Sequence, residues 1–220
     1  GRRFITALAI KADSHPYVIL GVIVSLALVI NILSLNLRPP TMQPGSPQIG
    51  QTYRWWPLIL NVINGRGYLL CVDSYFPLCS PANEVTASLE PVPVFFFGGV
   101  ALLTGQSLLA TGVAEVGINL IILLITFALA RLLSNVRAAL LAAFVWATYV
   151  PAIKLVSQIS GDLLGTCFLT LGLFLFLRAQ RAQHAHRWRD WIFSGIALGL
   201  GIQSRSASLA VLPGLLLGLL

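Results

Sequence analysis

Long apolar runs separated by short charged segments make up most of this 220-residue chain. The apolar runs lie at 16–37, 107–130, 138–152, 163–177, 191–203 and 209–220. A helix needs roughly 20 mainly apolar residues to cross the ~30 Å core of a bilayer, and several runs are shorter, so their boundaries are approximate. The pattern predicts an all-α polytopic membrane protein. The run at 16–37 is expected to stay as the first span, because it lacks a small-x-small cleavage site.

One long polar interruption, at 38–93, breaks this pattern. It carries most of the prolines, two of the three cysteines and three of the seven acidic residues. Within it, 51–64 has the pattern of an amphipathic helix with aromatic residues near its start that suit the headgroup interface. These aromatic residues are Tyr53, Trp55 and Trp56. We expect an extracytoplasmic active-site loop here, spanning about 38–106 when the next short apolar run is included.

That next apolar run, at 92–104, is too short to cross a membrane. A helix of its length reaches only ~20 Å, against the ~30 Å required. The chain must also cross an odd number of times between the outer loop and the basic turn at Arg131, and the run at 107–130 supplies one crossing. We therefore predict that 92–104 is a broken, re-entrant helix that dips into the outer face and returns. The prolines and glycines suited to such a helix are Pro91, Pro93, Gly98, Gly99 and Gly105.

The composition excludes a soluble domain. Hydrophobic residues make up 57% of the chain and charged residues 10%, with a mean hydropathy of +0.86. The net charge of +7 does not indicate nucleic acid, because the basic residues form short blocks beside apolar runs, as in cytoplasmic loops. Arg2, Arg3 and Lys11 precede the first run. This predicts a cytoplasmic N-terminus and a loop outside the cell, or inner, membrane.

The ends of the sequence suggest that more chain exists. The sequence starts without Met at Gly1 and stops inside an apolar run at Leu220. No internal repeat divides it. We expect 1–220 to be one transmembrane domain, truncated at its C-terminus, from the N-terminal part of a longer protein.

Carboxylates are the candidate chemical groups on the outer face. The histidines His15, His184 and His186 fall on the cytoplasmic side by this topology, so no Ser-His or Cys-His pair forms outside. The outer charged residues are Asp73, Glu84, Glu90, Asp162, Arg38, Arg54, Arg66, Lys154 and Arg205. Cys71 and Cys79 either pair in an oxidising compartment or remain two loop thiols. The sequence supports no cofactor; a divalent metal stays open without a pattern in its favour.

Each main candidate also has a structural alternative. Asp162 directly precedes a long apolar helix, where it either caps the helix or serves as an acid at a membrane-embedded cavity. Glu90 is either a helix-start acid or a general base. Arg205 is either a solvated loop arginine or a phosphate ligand. Glu115 lies well inside its apolar run, so it should face protein or a cavity rather than lipid.

A series of short motifs resembles the GT-C glycosyltransferases, specifically the protein O-mannosyltransferase and aminoarabinose transferase relatives. In the loop the motifs are the run Asn61 to Tyr68, Thr86-Ala87 and Glu90-Pro91-Val92-Pro93. Later they are Ser160-Gly161-Asp162, Arg187-Trp188-Arg189 and Ser204-Arg205-Ser206. Their order and spacing over 16–220 carry the resemblance more than any single motif. It implies a GT-C-like helix bundle with a large first outer loop.

The resemblance implies an inverting transferase that moves a sugar from a polyprenyl-phosphate donor to a lipid, glycan or protein acceptor at the outer membrane face. The implied catalytic acids are Asp162 and Glu90, with Asp73 as a substitute acid. Arg205 is implied as a ligand of the lipid phosphate, and Arg66, Lys154 and Gln51 complete the candidate substrate-binding set. Gln51 is a departure, because it stands where the family's first-loop catalytic Asp is expected and cannot act as a base. Either another acid substitutes, or the local alignment is shifted, or the activity is altered or absent.

Two other classes of protein stay open from the sequence. In a transporter or lipid flippase, Glu115 and Asp162 would line a path, and paired broken helices would occur in two similar halves. The sequence predicts one such broken element. In a non-catalytic membrane subunit, every acid would be a helix cap or a solvated loop residue.

Overall fold

A computed structural model describes residues 15–41, 52–68, 90–181 and 187–210. All regular structure within these ranges is helical, which confirms the all-α prediction. The helices are α1 (Pro16–Leu37), α2 (Thr52–Ile63), α3 (Pro91–Leu103), α4 (Leu108–Leu133), α5 (Val136–Ala147), α6 (Val150–Leu155), α7 (Gly161–Arg181) and α8 (Arg187–Ser204), followed by a 3-10 turn at Ser206–Ala210. By length and apolar composition, α1, α4 and α7 each suffice to cross a membrane. Most of the predicted run at 209–220 lies outside the described residues.

A tight turn joins α3 to α4. Gly105 and Gln106 both have positive φ, at 64° and 63°, so the chain reverses within a few residues. Positive φ is costly for most side chains, and glycine avoids that cost. Ser107 then caps α4, because its Oγ accepts the Ala110 N–H at 3.2 Å. The two helices therefore form a hairpin whose position is set by local sequence.

One hydrophobic core joins α1, α4 and α5. Its buried side chains are Ile23, Ala27, Leu123, Phe127, Ala139, Leu140, Ala143 and Ala147. The alanines allow neighbouring membrane helices to approach closely. Asn119 of α4 adds a polar link, because it donates to Asn31 Oδ1 at 2.9 Å and accepts from Trp146 Nε1 at 2.9 Å. This buried hydrogen-bonded link holds the three helices in one register.

A second core packs α2 and α3 against α4 and the start of α7. The amphipathic helix expected at 51–64 is confirmed as α2. However, Trp55 and Trp56 are only 4% and 5% exposed, so their predicted place at the headgroup interface is wrong. The large apolar area of two indole rings is buried against protein instead, in a cluster that also contains Phe97. The side chain of Tyr53 lies outside the described part of the chain.

Two predicted segments differ from the observed helices. The run at 92–104 forms the continuous helix α3, so the predicted break is wrong. Its prolines lie in the first turn, where a helix does not need their missing N–H groups. Its re-entry into the membrane stays a prediction. The predicted span at 138–152 is interrupted, since α5 ends at Ala147 and α6 starts at Val150. Pro151 lies in the first turn of α6, where a helix does not need its missing N–H.

The most extensive helix pair is α7 with α8. The two helices approach closely at glycines: a Cβ on Gly172 would lie 2.7 Å from Leu198 Cγ, and one on Gly201 would lie 3.2 Å from Leu169 Cγ. Ser194 Oγ donates to the Gly172 carbonyl at 2.8 Å across the same contact. Small residues at these positions therefore set the distance between the helices.

An ion pair closes one end of this α7–α8 hairpin. Arg178 Nε donates to Asp190 Oδ2 at 2.8 Å, and a second guanidinium nitrogen contacts the other carboxylate oxygen. This is the basic end that the charge pattern predicts to be cytoplasmic. The candidate catalytic residues lie at the opposite end of the hairpin.

The glycine contacts predict the effect of added methyl groups. Gly172→Ala should destabilise the protein, by about 1–3 kcal/mol, because the new Cβ meets Leu198 across a packed interface. Gly199→Ala is the matched control on α8, since no atom lies within 4 Å of its added Cβ. The thermal unfolding midpoint in detergent measures both. Equal midpoints for the two variants would contradict the close packing of this pair.

Candidate active site

Three separate chain segments meet at the end of the α7–α8 hairpin opposite Arg178. They are the start of α3, the start of α7 and the segment after α8. Asp162 of α7 forms an ion pair with Arg205, which follows α8. Glu90, at the start of α3, accepts hydrogen bonds from Ser206, through the backbone N–H at 3.1 Å and the hydroxyl at 3.2 Å. The structure thus brings together three of the predicted site residues, which are far apart in the sequence.

Asp162 lies in the first turn of α7, but its carboxylate is directed to Arg205 rather than to its own helix. The capping contact comes from Ser160, whose Oγ accepts the Asp162 N–H at 3.3 Å. The Asp162 side chain is 20% exposed and that of Arg205 is 49% exposed. The ion pair therefore lies at the protein surface with its guanidinium side open, where a ligand can reach it. A guanidinium has five N–H donors, more than one carboxylate uses.

Glu90 stands at the position before α3, with extended backbone and no capping bond to its own helix. Its carboxylate instead holds the segment after α8 through Ser206. Tyr68, which follows α2, also lies near it. The pKa of Tyr68 is raised to about 12, chiefly because the phenol is partly buried and secondly because of the negative charge of Glu90. The segment after α2 therefore contributes an aromatic hydroxyl group close to the same carboxylate.

The close approach of these segments depends on Gly161. A Cβ at this position would lie 2.3 Å from the carbonyl oxygen of Ser204 and 2.9 Å from Pro93 Cγ. Backbone cannot move away as a flexible side chain can, so a larger residue would separate α7 from both α8 and α3. Gly165, one turn later, similarly has Arg205 Cβ 3.2 Å from its missing Cβ. These two glycines keep the two halves of the ion pair within reach.

Other predicted site residues are not part of this group of contacts. Lys154 is exposed in the last turn of α6, and Arg66 is exposed in the turn after α2. Neither takes part in the contacts that join Glu90, Asp162 and Arg205. Asp73, Glu84, Gln51, Cys71 and Cys79 lie outside the described residues. Cys167, within α7, is buried like an ordinary small apolar side chain.

The structure adds residues that sequence reasoning did not select. Ser206 belongs to the Ser204-Arg205-Ser206 motif, but nothing in the local sequence indicated that it would bind Glu90. Thr52 is fully buried, and its Oγ1 accepts the Ile159 N–H at 3.0 Å. Glu115 is also fully buried, which agrees with the expectation that it faces protein, and its Oε1 accepts the Ser160 N–H at 3.3 Å. Such contacts between distant segments leave no signal in a local pattern.

The described side chains of the site are carboxylates, a guanidinium and hydroxyl groups. Within the ranges the structure describes, no three His, Cys, Asp or Glu side chains lie close enough together to hold a metal ion. The two carboxylates of the site are engaged by Ser206 and Arg205. The groups present can hold an anion through the guanidinium and can accept a proton through a carboxylate.

Comparisons with known proteins bear on the family and the fold of this chain. A family model described as dolichyl-phosphate-mannose-protein mannosyltransferase matches residues 88–220, which include Glu90, Asp162 and Arg205. No curated protein matches the sequence at a significant level.

A solved structure has a similar fold. It is the crystal structure of the Archaeoglobus fulgidus oligosaccharyltransferase tethered, via a disulfide bond, with an acceptor peptide containing the NVT sequon. The TM-score is 0.61 at 17% sequence identity, and the match covers 87% of the present chain. It covers 25% of that enzyme, so the chain spans about a quarter of its length. The family match and this shared fold together confirm the predicted GT-C-like fold class.

Tyr68 predicts a pH dependence of stability. Its pKa is about 12 in the folded protein, against 10.0 for an unperturbed tyrosine. The folded state therefore binds more protons than the unfolded state between these values, and raising the pH through this window lowers the free energy of unfolding. Tyr68→Phe should remove this component, and Glu90→Gln should reduce it only in part because burial is the larger cause. Thermal unfolding midpoints measured from about pH 9 upward test this; an unchanged slope in Tyr68→Phe would contradict it.

Proposed function

The chain belongs to the dolichyl-phosphate-mannose-protein mannosyltransferase family, and on that premise we propose that it is the N-terminal transmembrane domain of a GT-C glycosyltransferase. The proposed reaction moves one sugar from a polyprenyl-phosphate donor to a lipid, glycan or protein acceptor at the outer face of the cell membrane. The proposal takes the N-terminus as cytoplasmic and the end of the hairpin near Asp162 as extracytoplasmic.

The proposed transfer is a single displacement with inversion. An acceptor oxygen or nitrogen forms a bond to the anomeric carbon while the bond from that carbon to the phosphate oxygen breaks. The acceptor's proton passes to a carboxylate, and the departing polyprenyl phosphate keeps the electron pair. Such a reaction needs a base on one side of the sugar and a fixed positive charge at the leaving phosphate.

The observation that carries this proposal is the grouping of Arg205 with Asp162 and Glu90 at one surface. Guanidinium and phosphate pair through parallel charge-assisted hydrogen bonds, and Arg205 is about half exposed. Ser206, the next residue, is bonded to Glu90. Ser206 thus holds the proposed base, Glu90, and the adjacent Arg205 is the proposed phosphate ligand. One short segment therefore fixes the base relative to the phosphate, as catalysis by positioning requires.

The contacts favour different roles for the two carboxylates. Asp162 is paired with the guanidinium, so we assign it to orienting Arg205 toward the donor phosphate. Glu90 accepts hydrogen bonds from two uncharged groups of Ser206, so we propose it as the general base. With this assignment the reaction does not need an acid at position 51, because the base comes from the start of α3. Asp73 stays a second candidate for the base.

The donor is proposed to enter from the lipid. Several helices present large apolar side chains at the surface, as expected where they contact lipid tails; examples are Val29, Leu33, Phe95, Leu102, Leu124 and Leu141. A polyprenyl chain has the same apolar character. Arg66, Lys154 and Gln51 remain proposed ligands of the donor, and no metal or cofactor is assigned to the reaction.

Transfer assays with paired variants test the proposal. Membranes containing the full-length protein are incubated with a panel of radiolabelled polyprenyl-phosphate sugars. Glu90→Gln should lower kcat by roughly 10²–10⁴-fold, because the amide keeps the contacts to Ser206 but cannot take a proton. Arg205→Lys should raise the donor KM by about tenfold or more, because lysine lacks the two parallel N–H donors of a guanidinium. Asp162→Asn should raise it similarly, because the weaker pair no longer holds Arg205 in position.

The control is Asp190→Asn, which removes an ion-paired acid from the opposite end of the same helix pair. Its kcat and KM should equal those of the wild type. No transfer from any donor by wild-type membranes would refute the transferase and favour a transporter, a lipid flippase or a non-catalytic subunit. Full activity in Glu90→Gln would show that Glu90 is not the base, and Asp73 would be the next candidate.

A further inference from the structure

Two buried side chains from different helices hold consecutive backbone amides of the turn that precedes Asp162. Thr52 of α2 accepts the Ile159 N–H at 3.0 Å, and Glu115 of α4 accepts the Ser160 N–H at 3.3 Å. Both side chains are fully buried. The turn between α6 and α7 is therefore fixed from two directions immediately before the candidate active site.

These contacts are needed because the turn itself is buried. Ile159 is 0% exposed and Ser160 is 1% exposed, so water is excluded from their backbone groups. The amides at a helix start have no partners within the helix, and leaving them without partners in a buried site is costly. The hydroxyl of Thr52 and the carboxyl of Glu115 supply those partners.

The contacts continue from this turn into the active site. The Ser160 N–H donates to Glu115, and the Ser160 hydroxyl accepts the Asp162 N–H at 3.3 Å. Asp162 then pairs with Arg205. A sequence of direct contacts thus runs from α4 through the turn to the guanidinium.

Glu115 differs from Asn119, another buried polar side chain on the same face of α4. Asn119, one turn later, is bonded to Asn31 and Trp146 and joins helices without touching the turn. Glu115 has one oxygen on the Ser160 amide, while its Oε2 has no hydrogen-bond partner within the described chain. A half-satisfied buried carboxyl is a poor choice for stability alone, because the second oxygen adds a desolvation cost without a bond.

We propose that Glu115, assisted by Thr52, is a positioning residue that sets the orientation of Asp162 and, through it, of Arg205 at the donor phosphate. The proposal rests on the proposed function for its kinetic consequence. Its structural part concerns the Ser160 amide and does not depend on the reaction. Glu115 acts through the turn, so it is distinct from the residues that contact the donor.

The first measurement follows the backbone itself. Hydrogen exchange at the amides of Ile159 and Ser160 is compared in wild type, Glu115→Met, Glu115→Gln and Asn119→Leu, using the full-length protein in detergent. Glu115→Met removes the acceptor at similar length and should speed exchange at Ser160 by about tenfold or more. Glu115→Gln retains an acceptor oxygen and should exchange like wild type. Asn119→Leu should leave this amide protected while lowering the unfolding midpoint.

The second measurement is kinetic. Glu115→Met should raise the donor KM by about tenfold, as Asp162→Asn does, while Glu115→Gln should restore it. The double variant Glu115→Met with Asp162→Asn should be no worse than Asp162→Asn alone, because both changes remove the same orientation of Arg205. If Glu115 only stabilised the fold, the double variant would raise the donor KM by the product of the two single effects. Glu115→Met would then also have the same KM as Asn119→Leu.

The outcomes separate this proposal from the proposed function. If wild-type membranes show no transferase activity, the proposed function is wrong. The hydrogen-exchange result still tests the contact between Glu115 and the Ser160 amide. Unchanged exchange in Glu115→Met, or a loss in Glu115→Gln equal to that in Glu115→Met, would overturn the positioning role. If Glu115→Met does not fold, Thr52→Val and Thr52→Ser repeat the test at Ile159: the valine should lose protection and the serine should keep it.

Discussion

The close approach of α7 and α8 is the constraint on which the candidate site depends. Gly161 lies against the carbonyl of Ser204, and Gly165 lies against Cβ of Arg205. Only at this separation does the Asp162 carboxylate reach the guanidinium across the two helix ends. The same packing brings Ser206 to Glu90, so a single helix pair determines both the anion-binding group and its relation to the proposed base.

Burial of irregular backbone imposes a second constraint. Where helices stop inside a membrane protein, their terminal amides need partners from the protein, because lipid supplies none. The turn before α7 meets this need with side chains from α2 and α4. Helix α2 is thereby connected to the candidate site, and its buried tryptophans anchor it there. Helix α2 is thus part of the protein core.

The shared fold and the local chemistry support the functional conclusion in different ways. Likeness to an oligosaccharyltransferase at 17% identity shows a shared fold and nothing about substrate. The argument for sugar transfer from a lipid phosphate rests on family membership and on carboxylates placed beside an exposed arginine. Gln51 stands where the family resemblance expects an acid, so the proposed reaction takes its base from Glu90 instead.

The sequence alone determined where most helices of this protein lie, because apolar length and capping residues act locally, but it missed the interruption within 138–152. The span at Pro16–Leu37 was predicted with its observed ends, and Glu90, Asp162 and Arg205 stood out as polar groups beside apolar helices. Only the tertiary structure decided that Ser160 and not Asp162 caps α7, that Trp55 and Trp56 turn inward, and that Glu115 holds the turn. Those outcomes depend on which distant segments pack together, and a helical pattern specifies a face to be buried without specifying its partner.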